Sequence, residues 1–272
     1  MLTALVPLAL VAGAIAAAPG RTVTAVASED VGAPVERAFP SEAYTRAAAA
    51  DADLRWDDAR ALYRQAADTW TMVGRTRPSR ALESAIAKAE HELLTSQALA
   101  TRARAGGGPS LSQLPEEARR AFLRRQSLEE ARLLRAKMMA ARAALGRLPP
   151  ELYTRTRARL ETARDTAAAG RDGTDAEVAL QLCATYAVGG DPAAARDARA
   201  HVTAAQRADL TSALPRAACA AALGETEAAL AALESFVLRP PVPRPDSVLR
   251  DVYLSNDWDR LRGNPRFESL FR

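Results

Sequence analysis

The sequence predicts an all-α fold of stacked antiparallel helix pairs, with one longer helical hairpin near its middle. Three observations predict it. First, the C-terminal third repeats itself at a 34-residue offset. Leu182, Cys183, Tyr186, Gly190, Asp191, Ala195 and Val202 correspond, in one register, to Arg216, Ala217, Ala220, Gly224, Glu225, Ala229 and Phe236. That period is the length of one helix–turn–helix unit, which cannot bury its apolar face alone and therefore stacks. Second, alanine makes up about a quarter of the 272 residues and aromatics only 5%, and no run of alternating β-branched residues is long enough for a strand. Third, apolar residues recur at helical spacing in stretches separated by Gly and Pro.

In chain order, residues 2–18 (LTALVPLALVAGAIAAA) are apolar and uncharged, and Ala25, Val26 and Ala27 form an A-x-A cleavage pattern. Residues 1–27 therefore read as a signal peptide, with an uncleaved N-terminal anchor as the alternative. The stretch before the apolar run has no basic side chain, and no lipobox Cys is present. Residues 28–40 read as a linker. Residues 41–105 hold N-terminal helical pairs. The spacing predicts helices over 41–52 and 56–73, the second with a stripe of Trp56, Ala59, Leu62, Tyr63 and Ala66, then one over 79–104 capped by Ser79. Residues 106–109 (GGGP) are the strongest break and a candidate hinge. Residues 112–170 read as a long hairpin. Pro115, Glu116 and Glu117 open a helix striped by Phe122, Leu128, Ala131, Leu134, Met138, Ala141 and Leu145; Gly146 closes it, and Pro149 and Pro150 open its partner. The hairpin is either a projecting arm or a pair inserted in the stack. The two clear repeats fill 176–238, a proline-rich connector spans 239–246, and capping helices follow over 247–272.

The net charge of +4 conceals segregation. Residues 28–69 carry five Arg against nine acids, whereas 101–170 carry fifteen Lys and Arg against seven. A solvated helix surface accounts for the basic middle; contact with nucleic acid or anionic lipid is the competing reading. Lysine occurs only at Lys88 and Lys137. Cys183 and Cys219 differ by 36 residues, two off the repeat period, which turns them about half a helical circuit apart. They read as two small buried residues, although export would permit a disulfide. Asp51, Asp53, Asp57 and Asp58 form an acidic cluster without EF-hand spacing, suited at most to weak surface cation binding. No HExxH, CxxC, G-x-S-x-G, P-loop or G-x-G-x-x-G pattern occurs, so no catalytic, cofactor or metal residue is assigned, and the chain is not expected to be an enzyme.

The repeats resemble those of tetratricopeptide-repeat proteins: a small pair, an aromatic three residues on, a Gly–acid turn, a small Ala and a closing apolar residue. A weaker copy spans 40–73 with Ala47, Ala59, Tyr63 and Ala66, lacking the Gly turn and the closing Pro. The run from Trp258 through Asn264 and Pro265 to Phe267, with Leu270 and Phe271, is similar to the tail closing many bacterial arrays of this family. About 125 of the 272 residues carry the resemblance. It implies a right-handed superhelix whose concave groove is lined by the first helix of each repeat. That lining would be Tyr44, Ala48 and Asp51; Glu177, Leu180, Ala184 and Val188; and Thr211, Leu214, Ala218 and Ala222. The Lys and Asn residues with which some members clamp a peptide carboxylate are absent, so an apolar or helical peptide suits the lining better, unless the alanines serve only helix packing. Trp258, Phe267 and Phe271 read as a cap on the last repeat or as an aromatic anchor for a partner.

The expectation is an exported, non-enzymatic scaffold in the periplasm, the cell envelope or outside the cell. Its partner would be another protein or peptide, with no cofactor. Nucleic acid is not an expected partner, and membrane contact would come only through an uncleaved N-terminus.

Overall fold

In a computed structural model of the chain, residues 41–105, 112, 114–166, 174–238 and 245–271 are described. The signal or anchor segment at 1–27, the linker at 28–40, the break at 106–109 and most of the proline-rich connector lie outside the described residues. What is described is all-helical, with twelve α-helices packed against their neighbours and no strand.

α1 (Glu42–Ala52) begins at Ser41, whose side chain accepts the Tyr44 N–H at 3.0 Å. α2 (Trp56–Thr76) follows a tight turn, and α3 (Arg80–Ala105) starts after Ser79, whose Oγ accepts the Leu82 N–H at 3.2 Å. α4 (Glu116–Leu145) is entered through Pro115 and closed by Gly146, and α5 (Pro150–Asp165) has its proline at the first helical position. α6 (Thr174–Val188) and α7 (Pro192–Ala200) form the first repeat pair. α8 (Ala204–Ala208) and a 3₁₀ turn (Leu210–Ser212) lead into the second pair, α9 (Ala213–Leu223) and α10 (Thr226–Leu238). α11 (Asp246–Leu254), a 3₁₀ turn (Asn256–Trp258) and α12 (Pro265–Ser269) make the tail.

The turns preserve the repeat at the level of single hydrogen bonds. Gly190 N–H donates to Ala187 O, Asp191 N–H to Tyr186 O and Ala195 N–H to Asp191 O; 34 residues later Gly224, Glu225 and Ala229 donate to Ala221, Ala220 and Glu225. Both glycines take left-handed φ values, 87° and 80°, a conformation open to Gly without a Cβ penalty. The weak copy at 40–73 has the same pattern. Leu54, Arg55 and Ala59 donate to Asp51, Ala50 and Arg55, and Leu54 adopts φ 59° where the later turns carry Gly. The left-handed turn thus persists here without glycine, at a steric cost of about 1–2 kcal/mol.

Helices pack in a continuous series: α3 on α2, α2 on α1, α1 on α4, α4 on α5, α5 on α6, α6 on α7 and α9, and α9 on α10. The 116–165 hairpin is therefore a pair inserted in the stack and not a projecting arm. Its α4 carries Leu134, Met138 and Ala141 into a shared core with Ala48, Trp56, Leu99 and Leu152, so the cores cross the segment boundaries read from sequence. All described residues belong to one compact unit.

One expectation is corrected. Cys183 and Cys219 are joined in a disulfide, with Cα atoms 5.4 Å apart, linking α6 to α9. Equivalent positions on translated helices point the same way, so a bridge between neighbours needs one side chain pointing forward and one back. The two-residue slip from the repeat period, read as an obstacle, supplies that half-circuit difference.

The tail caps the C-terminal core. Trp258, Leu261, Phe267 and Leu270 are buried with Leu230, Leu233 and Phe236, the Trp258 indole donates to Val252 O at 2.7 Å, and Phe267 packs with Tyr253 and Phe271.

Candidate functional site

A groove runs along α4 between that helix and α9, and the turn Asn256–Trp258 crosses it. α4 presents Arg135, Met139 and Arg142 to one side. Val188 of α6 and Ala218, Ala221 and Ala222 of α9 form the other side, enclosing about 220 Å³. A second cleft of about 160 Å³, bordered by His91, Arg132 and Gln181, lies beyond the turn. Both clefts share Arg135, Met139, Asn256 and Asp257, so the turn stands between two adjoining clefts along α4.

Polar contacts fasten that bridge. The Arg135 guanidinium meets both oxygens of Asp257 at 2.8 Å, with the two side chains only 7% and 17% exposed. Of these contacts Nη1 to Oδ2 is a hydrogen bond, charge-assisted and largely out of water, which makes it stronger than a neutral one. Lys88 Nζ donates to Asn256 Oδ1, tying α3 to a residue 168 positions away. Burial lowers the Lys88 ammonium to about 8, with Asp259 and Glu92 opposing. Arg262 pairs with Asp259 and donates to the carbonyls of Tyr253 and Ser255, holding the tail's own shape.

Beneath the groove lies a closed charge cluster. Lys137, on α4, is fully buried with its Nζ 2.9 Å from Glu92 Oε2 and 3.4 Å from Asp51 Oδ2. It also donates to the Glu92 carbonyl and stands 4.7 Å above the Tyr63 ring. Ser96 donates to Asp51 at 3.1 Å. Three helices, α1, α3 and α4, are thus locked by one ammonium. Both lysines of the chain are buried cations, Lys88 on Asn256 and Lys137 on Asp51 and Glu92.

Asp51 is pushed up from 3.8 to about 6, chiefly by burial, with Lys137 opposing. Between these values the folded chain holds a proton that the unfolded chain releases, so the contribution of Asp51 to stability grows as the pH falls through that window. The stability of the natural chain relative to Asp51→Asn should therefore improve as the pH is lowered from about 7 to about 4. Urea unfolding at stepped pH reads this directly. A difference that moves toward the variant on acidification would contradict the upshifted carboxyl.

The residues expected to line the groove are distributed as follows. Val188, Ala218 and Ala222 border the cleft. Tyr44, Ala48, Asp51, Leu180 and Ala184 are buried in the packing between helices. Glu177 is ion-paired with Arg132, Nε to Oε1 at 2.7 Å. Thr211 is exposed in the 3₁₀ turn, and Leu214 is half-buried against the C-terminal core. The acidic cluster is corrected as a cation site. Asp51 faces Lys137, Asp53 and Asp58 pair with Arg55, and Asp57 pairs with Arg60 and Arg104. Among the described residues no group of His, Cys, Asp and Glu converges on a metal-binding geometry.

Much of the basic surplus of 101–170 is engaged inside the chain. Arg102 pairs with Glu129, Arg124 with Asp175, Arg135 with Asp257, Arg155 and Arg159 with Glu130, and Arg157 with Glu161. Sequence reasoning missed Arg135, Asn256 and Asp257 as groove residues, and Lys88 as the residue that holds Asn256. Lys137 left a legible trace: it falls three residues after Leu134 and one before Met138, inside the apolar stripe of α4.

The fold and groove together define an all-α protein of packed helix pairs whose groove is crossed by its own C-terminal tail. Comparison with protein-family models, with curated proteins and with solved structures found no match.

Proposed function

We propose that this chain is an exported, non-enzymatic helical-repeat scaffold of the tetratricopeptide type that binds a segment of another protein in the groove along α4. The observation that carries the reading is the groove itself. Small apolar side chains of α9 face Met139 and the arginines of α4, giving an apolar floor with a charged rim over a rigid buried core. Grooves between stacked helices suit extended or helical peptides. The shared turn pattern at 54, 190 and 224 supports the repeat assignment. The Cys183–Cys219 disulfide supports an oxidising compartment, hence export. Among the described residues no helix is long and apolar enough to cross a membrane.

Two experiments test the reading. Crosslinked capture from an envelope extract should recover a specific protein with the natural chain and lose it with Ala222→Trp, which fills the cleft beside Val188. Capture that is unaffected by the substitution would remove the groove from the account. For export, N-terminal sequencing of the cellular protein should start near Ser28, or at Pro19 or Gly20. An intact Met1 in the soluble cytosolic fraction would overturn export, and an intact Met1 in the membrane fraction would favour the anchor.

A further inference from the structure

We propose that the partner segment is acidic, and that the tail's turn Asn256–Trp258 occupies its place in the free chain as a displaceable internal ligand. This rests on the groove-binding reading above and adds the chemistry of the occupant.

Three observations point to it. The turn stands between two adjoining clefts that share Arg135, Met139, Asn256 and Asp257, so it lies where a bound segment would lie. Its contacts to the helices beneath are of the kind made to a ligand: a carboxylate on Arg135 of the groove wall and an amide oxygen on Lys88 of α3. Its apolar anchors, Trp258 and Leu261, belong instead to the C-terminal core, so the cap can stay seated while the polar tip lifts. The groove wall carries Arg135 and Arg142, whereas Arg132 is already paired with Glu177 and Arg260, on the tail itself, donates to the Ala222 carbonyl. The acids near it are already committed within the chain, Glu177 to Arg132 and Glu92 to Lys137. The remaining acids there, Asp257 and Asp259, are the tail's own. Lifting the turn therefore frees Arg135 beside Arg142 over an apolar floor, complementary to an Asp- or Glu-bearing segment. A tethered occupant acts at an effective concentration in the millimolar range, so it suppresses weak competitors and yields only to a segment with more contacts.

The test uses the full chain and one defined probe, a fluorescein-labelled peptide of residues 253–260 (YLSNDWDR). The double variant Asn256→Ala with Asp257→Asn removes the tail's grip on Lys88 and Arg135 and leaves Trp258 in place. It should bind the peptide at least about tenfold more tightly than the natural chain. Adding Arg135→Glu to that variant should abolish the gain, and a peptide with Lys in place of its first Asp should not bind. Equal peptide affinity for variant and natural chain, or binding indifferent to Arg135→Glu, overturns the proposal. If circular dichroism shows the double variant unfolded, Asp257→Asn alone keeps the side chain's size and carries the same comparison, with the same outcomes. Partner capture that depends on Ala222 while the acidic peptide fails to bind overturns the acidic assignment and leaves the groove reading standing.

Discussion

Replacing Lys137 with Ala should destabilise the chain by about 3–5 kcal/mol, because it leaves Asp51 and Glu92 buried without their counter-charge. The side chains of Lys137 and Asp51 are wholly enclosed and that of Glu92 nearly so, so the ammonium is their near counter-charge. The loss should be felt across α1, α3 and α4 together, since each supplies one member of the cluster. Removing the charges as a set is a different experiment. Lys137→Met combined with Asp51→Asn and Glu92→Gln should recover most of the stability, because replacing a buried ion pair whole is often close to neutral. Urea unfolding of the single and triple variants measures both effects. A single variant within about 1 kcal/mol of the natural chain would mean the cluster is hydrated or dispensable.

Phe267→Ala should cost about 3–5 kcal/mol by leaving a cavity among Leu233, Tyr253 and Phe271. The effect should be local. Phe267 lies in the C-terminal core with Leu230, Leu233 and Phe236, separate from the core of α1–α3, so loosening it should fray the C-terminal helices first. Hydrogen exchange should accelerate in α9, α10 and the tail while α1–α3 keep their protection. Unchanged protection over 210–238 would contradict the capping role.

Helix ends were largely legible in the sequence because they are written in local chemistry. Ser79, Pro115, Gly146, Pro150 and Gly224 each act within a turn or two of their own position, and the structure places helix boundaries at or beside them. The repeat turn was legible where Gly marks it and obscured at Leu54, where the same hydrogen bonds form around a residue that gives no such signal. The groove was legible only in part. Val188, Ala218 and Ala222 could be assigned by translating the repeat, but Tyr44, Asp51 and Leu180 could not, because Tyr44 packs on Tyr63 and Trp70 of α2, Asp51 faces Lys137 of α4, and Leu180 lies in the C-terminal core. Arg135, Lys88 and Asp257 were out of reach, since their significance comes from contacts spanning 122 and 168 residues. No local pattern encodes a tail returning across that distance. The disulfide was missed for a geometric reason: comparing equivalent faces of two helices hides the faces that meet.

The proposed role of the groove along α4 is to hold a segment of another protein. A photocrosslinking amino acid at Met139, introduced in the full chain in its own cells, tests it most directly. The account predicts a crosslink to an acidic segment of a second protein, located by mass spectrometry and lost with Ala222→Trp. Crosslinks confined to the chain's own tail and helices, in cells where the protein is fully expressed, would contradict it.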